Sequence, residues 1–203
     1  DTLARFGCLD ADDAGARSEV IAQLKSLLDL CRSHLEKEDQ HVHAAIEARR
    51  PGTSGRIAGE HVEHVAAINA LEAQLVAFQC CPDAAAAFAL YRQLGRFMAE
   101  NLEHMDFEET VHNAALWATY SDDELMQIHH AIVASIEPGV MGKALHWMLP
   151  AMNHDERMAL LTGIRATAPA PAFEGAMQLA RQRLAQRDWA RLARALEPQA
   201  LAA

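Results

Sequence analysis

The chain has 203 residues, of which 51% are hydrophobic and 23% are charged, and its formal net charge is −10. This length and composition fit one globular domain with a real hydrophobic core, with or without an appendage. The acidic balance argues against nucleic acid or an anionic membrane as a partner, and no apolar run approaches the roughly 20 residues of a membrane-spanning helix.

Nearly the whole chain has a helical pattern, with proline and glycine between the segments. The spacing predicts three long helices over residues 18–48, 55–79 and 82–118, and residues 1–8 are typical of the end of an earlier helix. Short connections favour antiparallel neighbours. The sequence therefore predicts an all-α protein, an up-down four-helix bundle with additional C-terminal helices.

Polar residues at the predicted helix starts are suited to capping. Ser54 precedes the second long helix, and Ser121 with Glu124 fits a capping box for a fourth. Asn153 with Glu156 fits another capping box further along the chain. We expect the fourth helix to end near "EPGVMG".

Two parts of the chain differ in their polar content. Residues 1–120 hold a dense histidine–carboxylate cluster, whereas residues 121–203 hold none. We therefore expect residues 1–120 to form a metal-binding helical bundle, and residues 121–203 to form a helical extension packed on it or a homodimer surface. The four cysteines have no metal-binding or redox spacing, and no signal peptide is visible, so we expect reduced thiols and a cytoplasmic protein.

Histidines interrupt the apolar stripes of the long helices. There are 11 histidines, and residues 1–33 contain none of them. Steps of three and four residues predict one inward stripe for each long helix, and a histidine falls in every stripe. The stripes are Leu27, Cys31, His34, Glu38, His41, Ala45 and Ala48; Ile57, His61, His64, Ile68, Leu71, Leu75 and Phe78; and Leu94, Phe97, Asn101, His104, Glu108, Val111 and Ala115. His43 lies off its stripe and is expected to face solvent.

The first and third long helices contain a short internal repeat. "SHLEKEDQHVHAAIEA" aligns without gaps on "EHMDFEETVHNAALWA", which pairs His34 with His104 and Glu38 with Glu108. Each pair has i, i+4 spacing, so its two side chains share one helix face. Buried carboxylates cost several kcal/mol unless they are compensated, and a metal ion that imidazoles and carboxylates bind compensates them. Two matching pairs together with a histidine stripe favour a metal site, although one such pair alone would be a weak signal.

The motifs "HLEKED", "EHVEH" and "HMDFEE" resemble those of the hemerythrin-like domain, the HHE cation-binding family. The resemblance implies a bundle that holds two non-haem irons, with an oxo or hydroxo group and the carboxylates of Glu38 and Glu108 as bridges. It also implies His34, His61 and His104 as terminal ligands. The spacing of His104 and Glu108 resembles the bacterial and regulatory branch more than the classical oxygen carriers.

Several positions depart from the family pattern. His64 is an alternative to His61 as a ligand, and Glu109 stands where classical members have an aspartate ligand. We expect each of them either to bind the metal as an alternate ligand or to hold a ligand in place. The family takes another histidine from its first helix, and because the sequence starts at Asp1 rather than Met, we expect that helix to begin upstream. The resemblance implies binding or sensing of oxygen or nitric oxide, or of iron and redox state, and no catalytic residue is assigned.

Two other interpretations stay open. Glu38 with His41 and Glu109 with His112 have the ExxH spacing of ferritin-like di-iron proteins. However, the middle helix offers histidines where that family needs an inward glutamate. The bundle could instead be a regulatory or interaction module in which the metal is structural or lost.

Overall fold

A computed structural model describes residues 1–197, and the regular secondary structure of these residues is entirely helical, without a strand. The chain divides into two compact units, the first from Asp1 to Ile136 and the second from Glu137 onward. Within the described residues, no helix is both long and apolar enough to cross a bilayer.

The first unit contains five helices among the described residues, two of them with a π-helical segment inside. Side chains of Asp13 and Asp83 cap the helices that begin at Ala14 and Ala84, respectively, by accepting hydrogen bonds from backbone N–H groups of the first turn. The helices are α1 (Thr2–Gly7); α2, made of Ala14–Lys37, the π-helical Glu38–His43 and Ala44–Arg49; α3 (Gly55–Cys80); α4, made of Ala84–Phe107, the π-helical Glu108–His112 and Asn113–Trp117; and α5 (Asp122–Ala134).

The helices pack as a bundle of hemerythrin type, as predicted. α3 contacts both α2 and α4, α1 also contacts both, and α5 contacts the π-helical segment of α2. One end of this unit, the apolar end, has a core of aliphatic and aromatic side chains that includes Leu24, Leu28, Leu71, Phe78 and Leu90. The other end, the histidine end, is defined by its buried imidazoles, which are His43, His61, His64, His104 and His112.

The predicted stripe of α3 is confirmed in full, because all seven of its members are buried. The predicted stripe of α2 is wrong at His34, although Leu27 and Cys31 pack against the core. Leu24, Leu28 and Leu35 are buried in the core, whereas the side chain of His34 is 53% exposed. The leucines fix which face of α2 turns inward, and His34 consequently lies at the edge of that face.

The π-helical segments change which residues point inward. A π-helical turn takes in one residue more than an α-helical turn, so the inward face moves by about one position. His112 is consequently buried in α4, whereas Val111 of the predicted stripe is 38% exposed. The prediction that His43 faces solvent is wrong for the same reason, because the π-helical segment of α2 turns His43 inward and leaves it only 6% exposed.

The capping predictions have mixed outcomes. Both capping boxes are present, with Ser121 and Glu124 at α5 and with Asn153 and Glu156 at the start of a later helix. The prediction for Ser54 is wrong, because its hydroxyl donates a hydrogen bond to Glu47 Oε1 at 2.6 Å instead of capping α3.

The second unit is helical and has its own core, which includes Leu149, Leu161, Ala180 and Leu192. Its first helix begins within "EPGVMG", a segment that the sequence predicts only as a helix end. Pro138 instead occupies the first turn of that helix, where its missing N–H has no cost. The helices are α6 (Pro138–Ala151), α7 (His154–Thr167), α8 (Ala170–Arg183) and α9 (Gln186–Leu196). The packing of residues 121–203 on the bundle stays a prediction.

Candidate metal centre

Three helices bring four ligand-type side chains together at the histidine end. Glu38 comes from α2, His61 from α3, and His104 and Glu108 from α4. Each of them offers one ligand atom, and these atoms all lie within 4.8 Å of one another. The imidazoles of His61 and His104 are 3% and 2% exposed, so the cluster is shielded from solvent.

The two imidazoles of this cluster are oriented by carboxylates behind them. Nδ1 of His61 donates to Asp39 Oδ1 at 2.8 Å, and Nδ1 of His104 donates to Glu60 Oε2 at 3.0 Å. A neutral imidazole has one N–H, so the Nε2 of each ring then carries a lone pair. These two Nε2 atoms lie 3.2 Å apart.

The carboxylate oxygens of Glu108 and Glu38 lie close to these two imidazole nitrogens. Glu108 Oε1 lies 3.2 Å from His104 Nε2 and 3.8 Å from His61 Nε2. Glu38 Oε2 lies 3.6 Å from His61 Nε2, and its Oε1 lies 3.2 Å from His34 Nε2. Ligands about 2.0–2.2 Å from a metal ion are separated from each other by roughly 3–3.6 Å. The donor atoms therefore fit a cation among them.

The charges of the cluster are strongly coupled. Burial and the neighbouring Glu108 raise the pKa of Glu38 to about 8. Burial acts in the same direction on Glu108, but the neighbouring imidazoles of His104 and His61 outweigh it and lower the pKa of Glu108. Burial opposes the charged form of His104, yet the neighbouring carboxylates of Glu108 and Glu60 raise its pKa. Protons on Glu38 and His104 thus balance the negative charge of the cluster that a bound cation would otherwise balance.

The two reserve candidates lie in different surroundings. His64 is 4% exposed, and its ring packs edge-on against His104 with a centroid separation of 4.6 Å. Within the described residues, Nδ1 of His64 has no hydrogen-bond partner. Glu109 is exposed and belongs to none of the ligand groups found there. His64 therefore touches the cluster, whereas Glu109 does not join it.

A cavity of 370 Å³ lies on the His64 side of the cluster, and Glu60 and His64 both line it. Three more glutamates and one arginine complete its lining, and they are Glu63, Glu100, Glu103 and Arg56. An acidic wall of this kind attracts cations.

Four further side chains adjoin the cluster, and the sequence predicts none of them as a ligand of the hemerythrin-type site; they are Asp39, Glu60, His43 and His112. Asp39 accepts hydrogen bonds from Nδ1 of both His43 and His61, at 2.9 and 2.8 Å. Its i, i+4 spacing from His43 was the available signal. His43 stacks on His61 with a centroid separation of 4.8 Å, and it meets His112 edge-on at 5.3 Å.

The family model of the hemerythrin HHE cation-binding domain matches residues 2–116, which cover α1 to the last turn of α4. The chain belongs to this family. Neither the curated proteins nor the solved structures that were searched include a significant match. Membership in a cation-binding family and the histidine–glutamate cluster point to the same conclusion, that the centre of this HHE domain binds a metal cation.

Proposed function

We propose that this HHE domain holds two non-haem irons and binds or senses a small diatomic molecule, either oxygen or nitric oxide. His34, Glu38, His61, His104 and Glu108 would hold the metal, with the two carboxylates between the ions. When bound, non-haem iron supplies redox-active coordination positions at which such a molecule binds. The residues themselves favour this assignment, because imidazole and carboxylate are suited to iron.

One observation carries the proposal, namely the facing lone pairs of His61 and His104. With both Nδ1 atoms donating to carboxylates, two buried Nε2 acceptors lie 3.2 Å apart. Two lone pairs at this distance repel each other unless a cation or a proton lies between them. The fixed rings keep their acceptors aimed at one point, so little reorganisation is needed when a cation binds.

The outer residues position the cluster. Arg56 donates to Glu60 at 2.7 Å, and Glu60 in turn holds His104, so a chain of charges fixes that imidazole. Phe97 packs edge-on against His64, which covers one side of the histidine end with an apolar ring.

The proposal is tested by anaerobic reconstitution with Fe(II), followed by elemental analysis and a visible spectrum before and after addition of nitric oxide. We expect at least two irons per chain and a spectral change with nitric oxide. His104→Ala should lose iron because it removes a buried ligand, whereas His146→Ala should retain it. Fewer than one iron per wild-type chain would refute the di-iron proposal.

Reporting of iron or redox state is a related role that the same centre would serve. The ferritin-like alternative is disfavoured, because Glu109 of its second ExxH pair is exposed while His112 is buried. The cytoplasmic location and the homodimer stay predictions. A spectrum that responds to nitric oxide would separate a gas-binding centre from a regulatory module with a purely structural metal.

A further inference from the structure

A second group of ligand-type side chains lies beside the first. His43 from α2, and Glu108 and His112 from α4, offer ligand atoms that all lie within 4.8 Å of one another. Both histidines are buried, at 6% and 1% exposure. Neither is among the five ligands of the proposed di-iron centre, and only Glu108 is shared with it.

Most ring nitrogens of this group lack a hydrogen-bond partner among the described residues. Among the described residues, neither Nδ1 nor Nε2 of His112 has a hydrogen-bond partner, and both atoms are buried. His43 donates from Nδ1 to Asp39 at 2.9 Å, which leaves its buried Nε2 as an acceptor, also without a partner. Buried polar groups are nearly always paired, so two such imidazoles side by side need an explanation.

The backbone is built to place these imidazoles inward. His43 ends the π-helical segment of α2, and His112 ends the π-helical segment of α4. Segments of this kind are rare and occur frequently at functional sites. In a regular α-helix, the inward position in α4 would fall on Val111, an apolar residue. The chain thus turns a histidine into the core where the regular spacing would have placed a valine.

We propose that His43, His112 and Glu108 form an additional metal position, which takes a divalent first-row cation such as Fe(II). Two imidazoles and one carboxylate are the ligand set that non-haem Fe(II) sites use. An ionised carboxylate offers about four lone-pair sites on its two oxygens, so Glu108 can lie between the two irons and still contact this position. Asp39 would hold His43 as it holds His61, through Nδ1. The inference goes beyond the proposed function and adds a metal equivalent to it.

The test counts Fe(II) in four proteins after anaerobic equilibrium dialysis: wild type, His112→Phe, His104→Ala and the control His129→Phe. Phenylalanine keeps a planar ring and removes both nitrogens, and His129 is an exposed histidine of the same unit. We expect His112→Phe to bind one iron fewer per chain than wild type and to keep the rest. His129→Phe should match wild type. Full wild-type iron content in His112→Phe would overturn the additional position.

The same proteins separate this inference from the proposed function. If His104→Ala retains all of its iron, the di-iron proposal fails, whereas the additional position is judged only by His112→Phe. Thermal unfolding gives a second readout. Without iron, His112→Phe should be at least as stable as wild type, because it removes unpaired buried nitrogens, and with Fe(II) its midpoint should rise less. An equal rise with Fe(II) in both proteins would also overturn the position, and His43→Phe repeats the test if His112→Phe does not fold.

Discussion

The two ends of the first unit are built from the same three long helices and have opposite chemistry. At the apolar end, α2, α3 and α4 bury leucine and phenylalanine, including Leu28, Leu75 and Phe78. At the histidine end, the same helices bury imidazoles, and within the described residues buried nitrogens of His41, His43, His64 and His112 have no partner. The apolar end accordingly stabilises the fold, whereas the histidine end lacks partners that a bound cation would supply.

This contrast explains how the site remains open to a ligand without unfolding the bundle. Each fully buried large apolar side chain stabilises the folded state by about 1.5–3 kcal/mol. The unpaired nitrogens act in the opposite direction, at about 1–3 kcal/mol for each unsatisfied group. Since the long helices pass through both ends, packing at one end keeps the ligands of the other end in place.

The largest expected effect comes from the apolar end. Phe78 is fully buried in its core, and Phe78→Ala should lower the free energy of unfolding by about 3–5 kcal/mol, because it leaves a cavity. Denaturant titration with and without Fe(II) measures this. The stabilisation that Fe(II) adds should be nearly the same as in wild type.

Phe88 provides the matched control, because it is 58% exposed in the same helical unit. Phe88→Ala should cost at most about 1 kcal/mol. Equal losses in the two variants would contradict the division of the unit into a stabilising end and a binding end.

The next effect concerns the carboxylate behind the histidines. Asp39→Asn should weaken Fe(II) affinity about 10- to 100-fold, because Asp39 fixes the rings of His43 and His61. Its counterpart in the internal repeat is Glu109, which belongs to none of the ligand groups among the described residues. Glu109→Gln should leave the affinity unchanged. Competition with a chelator of known affinity measures both variants, and a loss in Glu109→Gln alone would reverse the assignment.

The regular helix α3 shows what the sequence alone can establish. Its seven inward residues follow one 3.6-residue period from Ile57 to Phe78, and all are buried as predicted. The fold class and the clustering of His61, His104, Glu38 and Glu108 could likewise be inferred from residue spacing, and the family from the resemblance of its motifs.

The π-helical segments show why the rest of the site could not be predicted. Periodicity assumes an unbroken α-helix, and the extra residue in Glu38–His43 and in Glu108–His112 shifts the phase partway along. Periodicity therefore predicts His43 in solvent, and it indicates His112 only in the ferritin-like ExxH alternative. Glu60 was missed for another reason, since it contacts His104 from a different helix and no local spacing signals that bond.

The smallest expected effect concerns the loop at the histidine end. Glu47 accepts hydrogen bonds from the Ser54 hydroxyl and from the backbone N–H groups of Gly52 and Ser54, and these bonds lower its pKa to about 2. A carboxyl group with a lowered pKa stabilises the folded state above its unfolded pKa, about 4.5, and this contribution is lost as the pH falls toward 2.

Glu47→Gln should thus be slightly less stable than wild type at pH 7, and the difference should shrink below pH 4.5. Denaturant titrations of metal-free protein across this range, with exposed Glu174→Gln as the control, measure it. A difference that stays constant down to pH 2 would mean that Glu47 acts through shape rather than charge.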